Sequence, residues 1–356
     1  MDPQTAKQQV IEAGRRLVEA RLIARTWGNV SCRISETQFA VTPSGRAYDT
    51  LTPRDIVIVN ISDLSHEGQI RPSSETGIHA AVYRLKPSAG FVIHTHQENA
   101  SIVSALAPSA TTGFLCAAYA LPGTARLRKA VTDILENEDC RSIIMAHHGA
   151  LCYGGDMDAA FAEAADLEKR CGDFLESVAP ARSRDNDRLC RFDKRSGRLS
   201  SLPGEPSWED FPIEAVGGAI CRSRPDITHI IAISGADTIR ASEEGKSIRP
   251  LLDDVAQIAG ISLKTVGWDP RKPEESSASI VRALKGRNAV LLKGVGAICC
   301  ASSAEDAEAV AMIVKKECRA YNAAVATGGA KPLNALECRL MRWNYLKYYS
   351  KKSGKA

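Results

Sequence analysis

Two histidines at the end of an apolar run are the first residues in this chain that could do chemistry. Ala89-Gly-Phe-Val-Ile-His-Thr-His96 reads as a buried β-strand. Successive strand side chains point to opposite faces, so His94 and His96 share one face while Thr95 turns away. Paired imidazoles at a strand end form half of a tetrahedral metal site, although a lone His-X-His is explained as well by hydrogen bonding. A second apolar run, Arg141-Ser-Ile-Ile-Met-Ala-His-His-Gly149, closes on His147 and His148, only one of which can face the same site. Glu75, in Arg71-Pro-Ser-Ser-Glu-Thr76, offers a carboxylate. Glu75, His94, His96 and one of the adjacent pair would give three nitrogens and one oxygen, a set suited to zinc or a similar divalent ion.

These side chains need elements to hold them. Ser73 or Ser74 is expected to cap a helix through Ile78, Ala81, Val82 and Leu85, with Glu75 in its first turn. His79, one helical turn after Glu75, is expected to be a buried, hydrogen-bonded histidine. Residues 5–24 carry apolar positions at helical spacing and predict an amphipathic opening helix. Thr26 to Ile34 turns through Gly28-Asn29 into a strand, Phe39–Thr42 is its hairpin partner, and Ile56–Ile61 is a third strand. The turns at Gly28-Asn29 and Pro43-Ser-Gly45 place donors and flexible backbone where an anion could approach, and a helix N-terminus near Ser73-Ser74 suits the same anion.

The motifs Gly28-Asn-Val-Ser31, Thr42-Pro-Ser-Gly45, Pro72-Ser-Ser-Glu75, His94-Thr-His96 and His147-His-Gly149 occur in the order found in class II aldolases. Over residues 1–178 the chain resembles the L-fuculose-phosphate aldolase and adducin superfamily. The resemblance implies a three-layer α/β/α fold and a zinc ion, with manganese or cobalt as substitutes. It implies that His148 ligates and that Glu75 is both ligand and proton-abstracting base. It places Asn29, Ser44, Gly45, Ser73 and Ser74 around the phosphate of a sugar phosphate. Between His96 and Leu115 the chain is about a dozen residues shorter than these relatives, by direct reading of the motifs. The missing stretch carries their proton-donating tyrosine, a role that Tyr119 does not safely fill.

The remainder repeats the first part. Ile143-Ile-Met-Ala-His-His-Gly-Ala-Leu-Cys152 aligns with Val290-Leu-Leu-Lys-Gly-Val-Gly-Ala-Ile-Cys299, and Pro87–His96 aligns with Pro225–Ser234. His94 becomes Ala232, His96 becomes Ser234 and His148 becomes Val295, so the second copy cannot build the metal site. We therefore expect a duplicated fold: a metal-bearing domain at 1–178, a linker at 179–207, a degenerate repeat at 208–330 and a terminal helix with a basic tail at 331–356. That helix, Asn334–Tyr349, is expected to pack an apolar face of Leu336, Leu340, Trp343, Leu346 and Tyr348. Arg249–Gly260 resembles the stretch missing from the first copy. Asp253 or Asp254 is therefore either a donor to a metal site, with Asp254 the catalytic candidate, or a solvated helix end.

Composition narrows the classes. With 46 basic and 42 acidic residues in 356, the net charge of +4 makes no case for nucleic acid or membrane partners. No apolar run approaches the ~18 residues of a transmembrane helix, and the N-terminus lacks a signal-peptide core. The eleven cysteines fall in no zinc-binding or CxxC spacing, which suits reduced thiols in a cytoplasmic protein. The expectation is a zinc-dependent lyase that cleaves a phosphorylated ketose through a metal-stabilised enediolate. Its family sites lie between subunits, so two duplicated chains would pair as a pseudo-tetramer. A 4-epimerase, a dehydratase or a metal-free adducin-like module are the alternatives.

Overall fold

The computed structural model describes residues 1–349 except 21, 24–26, 112, 181–187, 195–197, 202–212 and 270. Two compact units divide at Leu175/Glu176.

In the first unit, strands β1 (Asn29–Arg33), β2 (Gln38–Val41), β3 (Val57–Asn60), β4 (Phe91–Thr95), β5 (Cys116–Ala117), β6 (Ser142–Met145) and β7 (Gly149–Gly154) form one sheet. Its order is β3-β2-β1-β4-β7-β6-β5, antiparallel except for β5–β6. Helices α1 (Pro3–Glu19), α2 (Thr76–Leu85), α3 (Glu98–Ser104), α4 (Ala125–Asn137) and α5 (Met157–Val178) accompany it. Strand alternation sorts the core onto two faces. Val92 faces the layer built by Ile78, Tyr83, Leu127 and Val131 of α2 and α4. Phe91 and Ile93 face the layer built by Val10 and Leu17 of α1 and Phe161 of α5. The expected three-layer architecture is present.

The opening helix ends at Glu19, short of the expected 24; residues 21 and 24–26 lie outside the described set. Helix α2 also starts later than read from the sequence. Its cap position is Glu75, with no side-chain cap, and Ser73 Oγ instead accepts from the Glu75 N–H at 3.2 Å in a tight turn. A serine two residues before a helix satisfies a local donor as readily as one at the cap, so the two are alike in sequence.

Among its described residues the second unit repeats six of the first unit's strands. Strands β8 (Arg188–Asp193), β9 (Arg198–Ser201), β10 (His229–Ser234), β11 (Lys264–Val266), β12 (Ala289–Leu292) and β13 (Gly296–Ala301) run β11-β12-β13-β10-β8-β9. That is the order of β5-β6-β7-β4-β1-β2, with the same polarity at every pairing. The register agrees to the residue: His94 pairs with Leu151 in the first sheet, and Ala232 pairs with Ile298 in the second. Helices α6 (Ile213–Ser223), α7 (Ala236–Ser242), α8 (Pro273–Ala283), α9 (Ala304–Ala326) and α10 (Ala335–Asn344) complete it.

Two expectations are corrected here. The stretch 179–207 is not a linker throughout, because β8 and β9 pair within it; polar residues on both strands disguised them as loop composition. Trp208, expected to open the repeat, and the basic tail from 350 onward lie outside the described residues. Helix α10 does not pack its apolar stripe: Leu336, Leu340, Trp343 and Leu346 are exposed. It buries Cys338, Met341 and Arg342 instead, and the Arg342 guanidinium donates to the carbonyls of Gln257 and Ile258. Those carbonyls lie in a π-helical turn, Val255–Ala259, whose irregular ladder leaves acceptors for it.

Candidate metal centre

Strand β4, the turn before β7 and the start of α2 converge on one point. His94 Nε2 lies 3.1 Å from His96 Nε2 and 3.2 Å from Glu75 Oε2, and His148 Nε2 lies 3.0 Å from Glu75 Oε1. One ring nitrogen from each of His94, His96 and His148 falls within a 4.8 Å span. Glu75, His94 and His148 are buried, while His96 is half-buried at the rim.

The donor set fits a divalent ion. Four ligands about 2.0–2.1 Å from a tetrahedral centre sit about 3.3–3.4 Å apart, close to the separations here. His94 Nδ1 lies 2.9 Å from the Ala150 carbonyl, which fixes that nitrogen as the N–H and leaves the Nε2 lone pair for a metal. Burial by itself would raise the Glu75 carboxyl. The charges of His94 and His148, with hydrogen bonds from His148 and Asn29, outweigh it and hold the group well below the usual carboxylate range.

The adjacent histidines separate because the turn is left-handed. His147 has φ 61°, a conformation that costs a non-glycine residue about 1–2 kcal/mol. Its backbone N–H donates to the Ser104 carbonyl and its ring stands edge-on to Tyr119 at 5.4 Å, while His148 turns to Glu75. In the second unit the same position is Gly294, at φ 70°, followed by Val295.

The motif loops also meet. Pro43 and Pro72 form a bridge, with the Ser44 N–H donating to the Arg71 carbonyl and the Ser73 N–H to the Thr42 carbonyl, each at 3.0 Å. Ser44 and Gly45 are half-buried, Ser73 is buried and Ser74 is exposed. Asn29 also reaches Glu75. Its Nδ2 donates to Glu75 Oε2 at 2.9 Å, and its Oδ1 meets His79 Nε2. His79 is wholly buried, as expected, and burial pushes its imidazole down to about 3, so the ring is neutral. Its Nδ1 meets Ser31 Oγ, which also contacts Tyr83 Oη at 2.7 Å. Tyr83 carried no signal in the sequence, since an aromatic one turn past His79 on an apolar helix face reads as core.

Asp253 and Asp254 belong to the second unit, and neither is a solvated helix end: they are 0% and 2% exposed. Asp254 Oδ2 receives Lys316 Nζ at 2.6 Å, also buried. That pairing lies within the second unit and joins Asp254 to α9. Beside it Glu317 accepts from the Leu251 and Leu252 N–H groups at 2.7 and 3.2 Å.

The first unit is a three-layer α/β/α fold in which His94, His96 and His148 could hold a metal ion, with Glu75 beside them. Residues 8–174 and 216–322 both match the family model described as Class II Aldolase and Adducin N-terminal domain, and the chain belongs to that family as a tandem duplication. Among solved structures it is similar to an L-fuculose 1-phosphate aldolase at 27% identity, covering 56% of this chain and 91% of that one, with a TM-score of 0.43. It is similar to the L-fuculose-1-phosphate aldolase of Thermus thermophilus at 24% identity, covering 48% and 93%, TM-score 0.40. It is also similar to YgbL of Escherichia coli, described as a putative aldolase/epimerase/decarboxylase, at 19% identity, covering 51% and 93%, TM-score 0.44. No described helix is long and apolar enough to cross a membrane.

Proposed function

We propose that the first unit is a metal-dependent lyase that cleaves a carbon–carbon bond in a phosphorylated ketose. The observation that carries this reading is the meeting of Glu75 with His94, His96 and His148 at ligand spacing. Those four residues would hold zinc, or manganese or cobalt in its place. A divalent cation there supplies Lewis-acid stabilisation of the negative charge that grows on the substrate's carbonyl oxygen as the bond breaks.

The chain's own residues do the rest. Glu75, ionised and poised between His94 and His148, takes and returns the substrate proton. Ser44, Gly45, Ser73 and Ser74, brought together by the Pro43–Pro72 bridge, cradle the phosphate near the start of α2, where the helix dipole favours an anion. The half-buried His96 lies at the rim, and the buried residues beneath it keep water from the reacting carbons.

The test is metal content followed by turnover. Elemental analysis of the purified chain is expected to give about one divalent ion per chain, lost in a His94→Ala, His96→Ala variant. A screen of ketose phosphates should then release aldehyde and triose phosphate with the wild type only. A wild type that stays metal-free after reconstitution would overturn the proposal.

A further inference from the structure

Beneath the metal cluster, five buried side chains are joined in one line. Tyr83 Oη lies 2.7 Å from Ser31 Oγ, Ser31 Oγ lies 2.6 Å from His79 Nδ1, His79 Nε2 lies 2.5 Å from Asn29 Oδ1, and Asn29 Nδ2 lies 2.9 Å from Glu75 Oε2. Two elements supply all five. Asn29 and Ser31 stand at i and i+2 on one face of β1, and Glu75, at the cap of α2, is followed at i+4 and i+8 by His79 and Tyr83 on one face of that helix. Each is less than a tenth exposed.

The chemistry of the groups sets the direction of every bond. An ionised carboxylate only accepts, so Asn29 must turn its amino group to Glu75 and its oxygen to His79. That oxygen only accepts, so His79 must carry its proton on Nε2. A neutral imidazole has one acceptor left, Nδ1, which takes the Ser31 hydroxyl proton. Ser31 Oγ in turn accepts from the Tyr83 hydroxyl. Reversing any one bond would leave two acceptors facing each other in a buried space, at the desolvation cost of an unmade hydrogen bond.

We propose that this line is a positioning device for the Glu75 carboxylate, with the Asn29 side chain as the link that joins Glu75 to the buried end of the line. Oε2 is held by the Asn29 amide while it faces His94, and Oε1 faces His148, so the carboxylate cannot rotate about its last bond without losing a partner. The partners of ligating groups tune affinity and activity by about 10–100-fold. This inference rests on the metal-site reading above, and its test separates the two.

The experiment titrates Co2+ into the metal-stripped full chain and its Asn29→Ala, His79→Leu and His79→Gln variants, following the visible absorption of the bound ion. Asn29→Ala and His79→Leu are expected to bind about 10–100-fold more weakly. His79→Gln should recover part of that loss, since a primary amide can present an N–H to Asn29 Oδ1, whereas a merely space-filling role would favour leucine as much as glutamine. Long-range 1H–15N correlation on the wild type is expected to show His79 with its proton on Nε2. Wild-type Co2+ affinity in both Asn29→Ala and His79→Leu would overturn the proposal, and so would a His79 protonated on Nδ1. If Asn29→Ala keeps its Co2+ affinity and loses only stabilisation by inorganic phosphate, Asn29 serves the phosphate and does not position Glu75, and the proposal falls. A wild type that takes up no Co2+ refutes the metal reading; the tautomer of His79 then decides the line by itself. The same measurement decides it if the variants fail to fold.

Discussion

Adding one methyl group at Gly149 should loosen the metal site without touching a ligand. A Cβ on Gly149 would stand 2.2 Å from the Thr95 carbonyl oxygen, 3.3 Å from its carbon and 3.5 Å from His94 Cε1. Relief to the closest contact that real Cβ atoms show requires β4 and β7 to part locally by about 0.8 Å. The same movement would stretch the His94 Nδ1 to Ala150 carbonyl bond from 2.9 Å toward about 3.7 Å, beyond hydrogen-bond range. Because β4 lies between β1 and β7, the shift has no free edge to escape to. Overpacking of this kind costs about 1–3 kcal/mol, and the lost hydrogen bond adds about 1 kcal/mol. Freeing His94 from its carbonyl should weaken metal binding about 10–100-fold. The second unit supplies the control, since a Cβ at the equivalent Gly296 would stand 2.1 Å from the Ile233 carbonyl oxygen, where no metal ligands lie. Chelator-competition titration with Zn2+ and thermal unfolding of both variants are the assays. Gly149→Ala should lose affinity and stability, Gly296→Ala stability alone. Wild-type metal affinity in Gly149→Ala, or an equal loss of affinity in Gly296→Ala, would refute the reasoning.

Two further predictions concern the second unit. Burial pushes the Glu317 carboxyl up to about 8, against the pull of its two backbone hydrogen bonds. Between the unfolded value near 4.5 and about 8, the unfolded chain releases a proton that the folded unit retains, so stability falls as pH rises through that window. Glu317→Gln should flatten this decline between about pH 5 and 8 in calorimetry; parallel curves for variant and wild type would remove Glu317 as its source. On α10, Leu340→Glu at an exposed position should shift stability by no more than about 0.5 kcal/mol. Met341→Ala, one residue on and buried, should cost about 2–5 kcal/mol. Denaturant unfolding that ranks the two the other way would restore the packed stripe read from the sequence.

The periodicities carried much of the fold. Strand alternation around His94 and the apolar runs before His147 and Val295 read correctly because a buried central strand leaves little choice of residue. The hairpin β8–β9 was lost because strands rich in arginine and serine look like loop. The apolar stripe of α10 misled for the opposite reason: helical spacing shows that a face exists, not that something covers it. In the site, His79 could be read as buried from its place one turn past Glu75, but Tyr83 could not be told from core.

By itself the sequence determined which residues are chemically able to hold a metal, their order along the chain, and that the second copy has none of them. Those facts depend on residue type and spacing, which a strand or helix converts into a shared face without reference to the rest of the fold. The tertiary structure alone decided how the candidates divide. The left-handed turn at His147 points His148 to Glu75 and turns its neighbour toward Tyr119. The meeting of β1 with α2 spends the Asn29 amide on Glu75 and His79, and packing against α9 buries Asp254 on Lys316. Each of these outcomes depends on which donor meets which acceptor across elements far apart in sequence, and local spacing does not encode that.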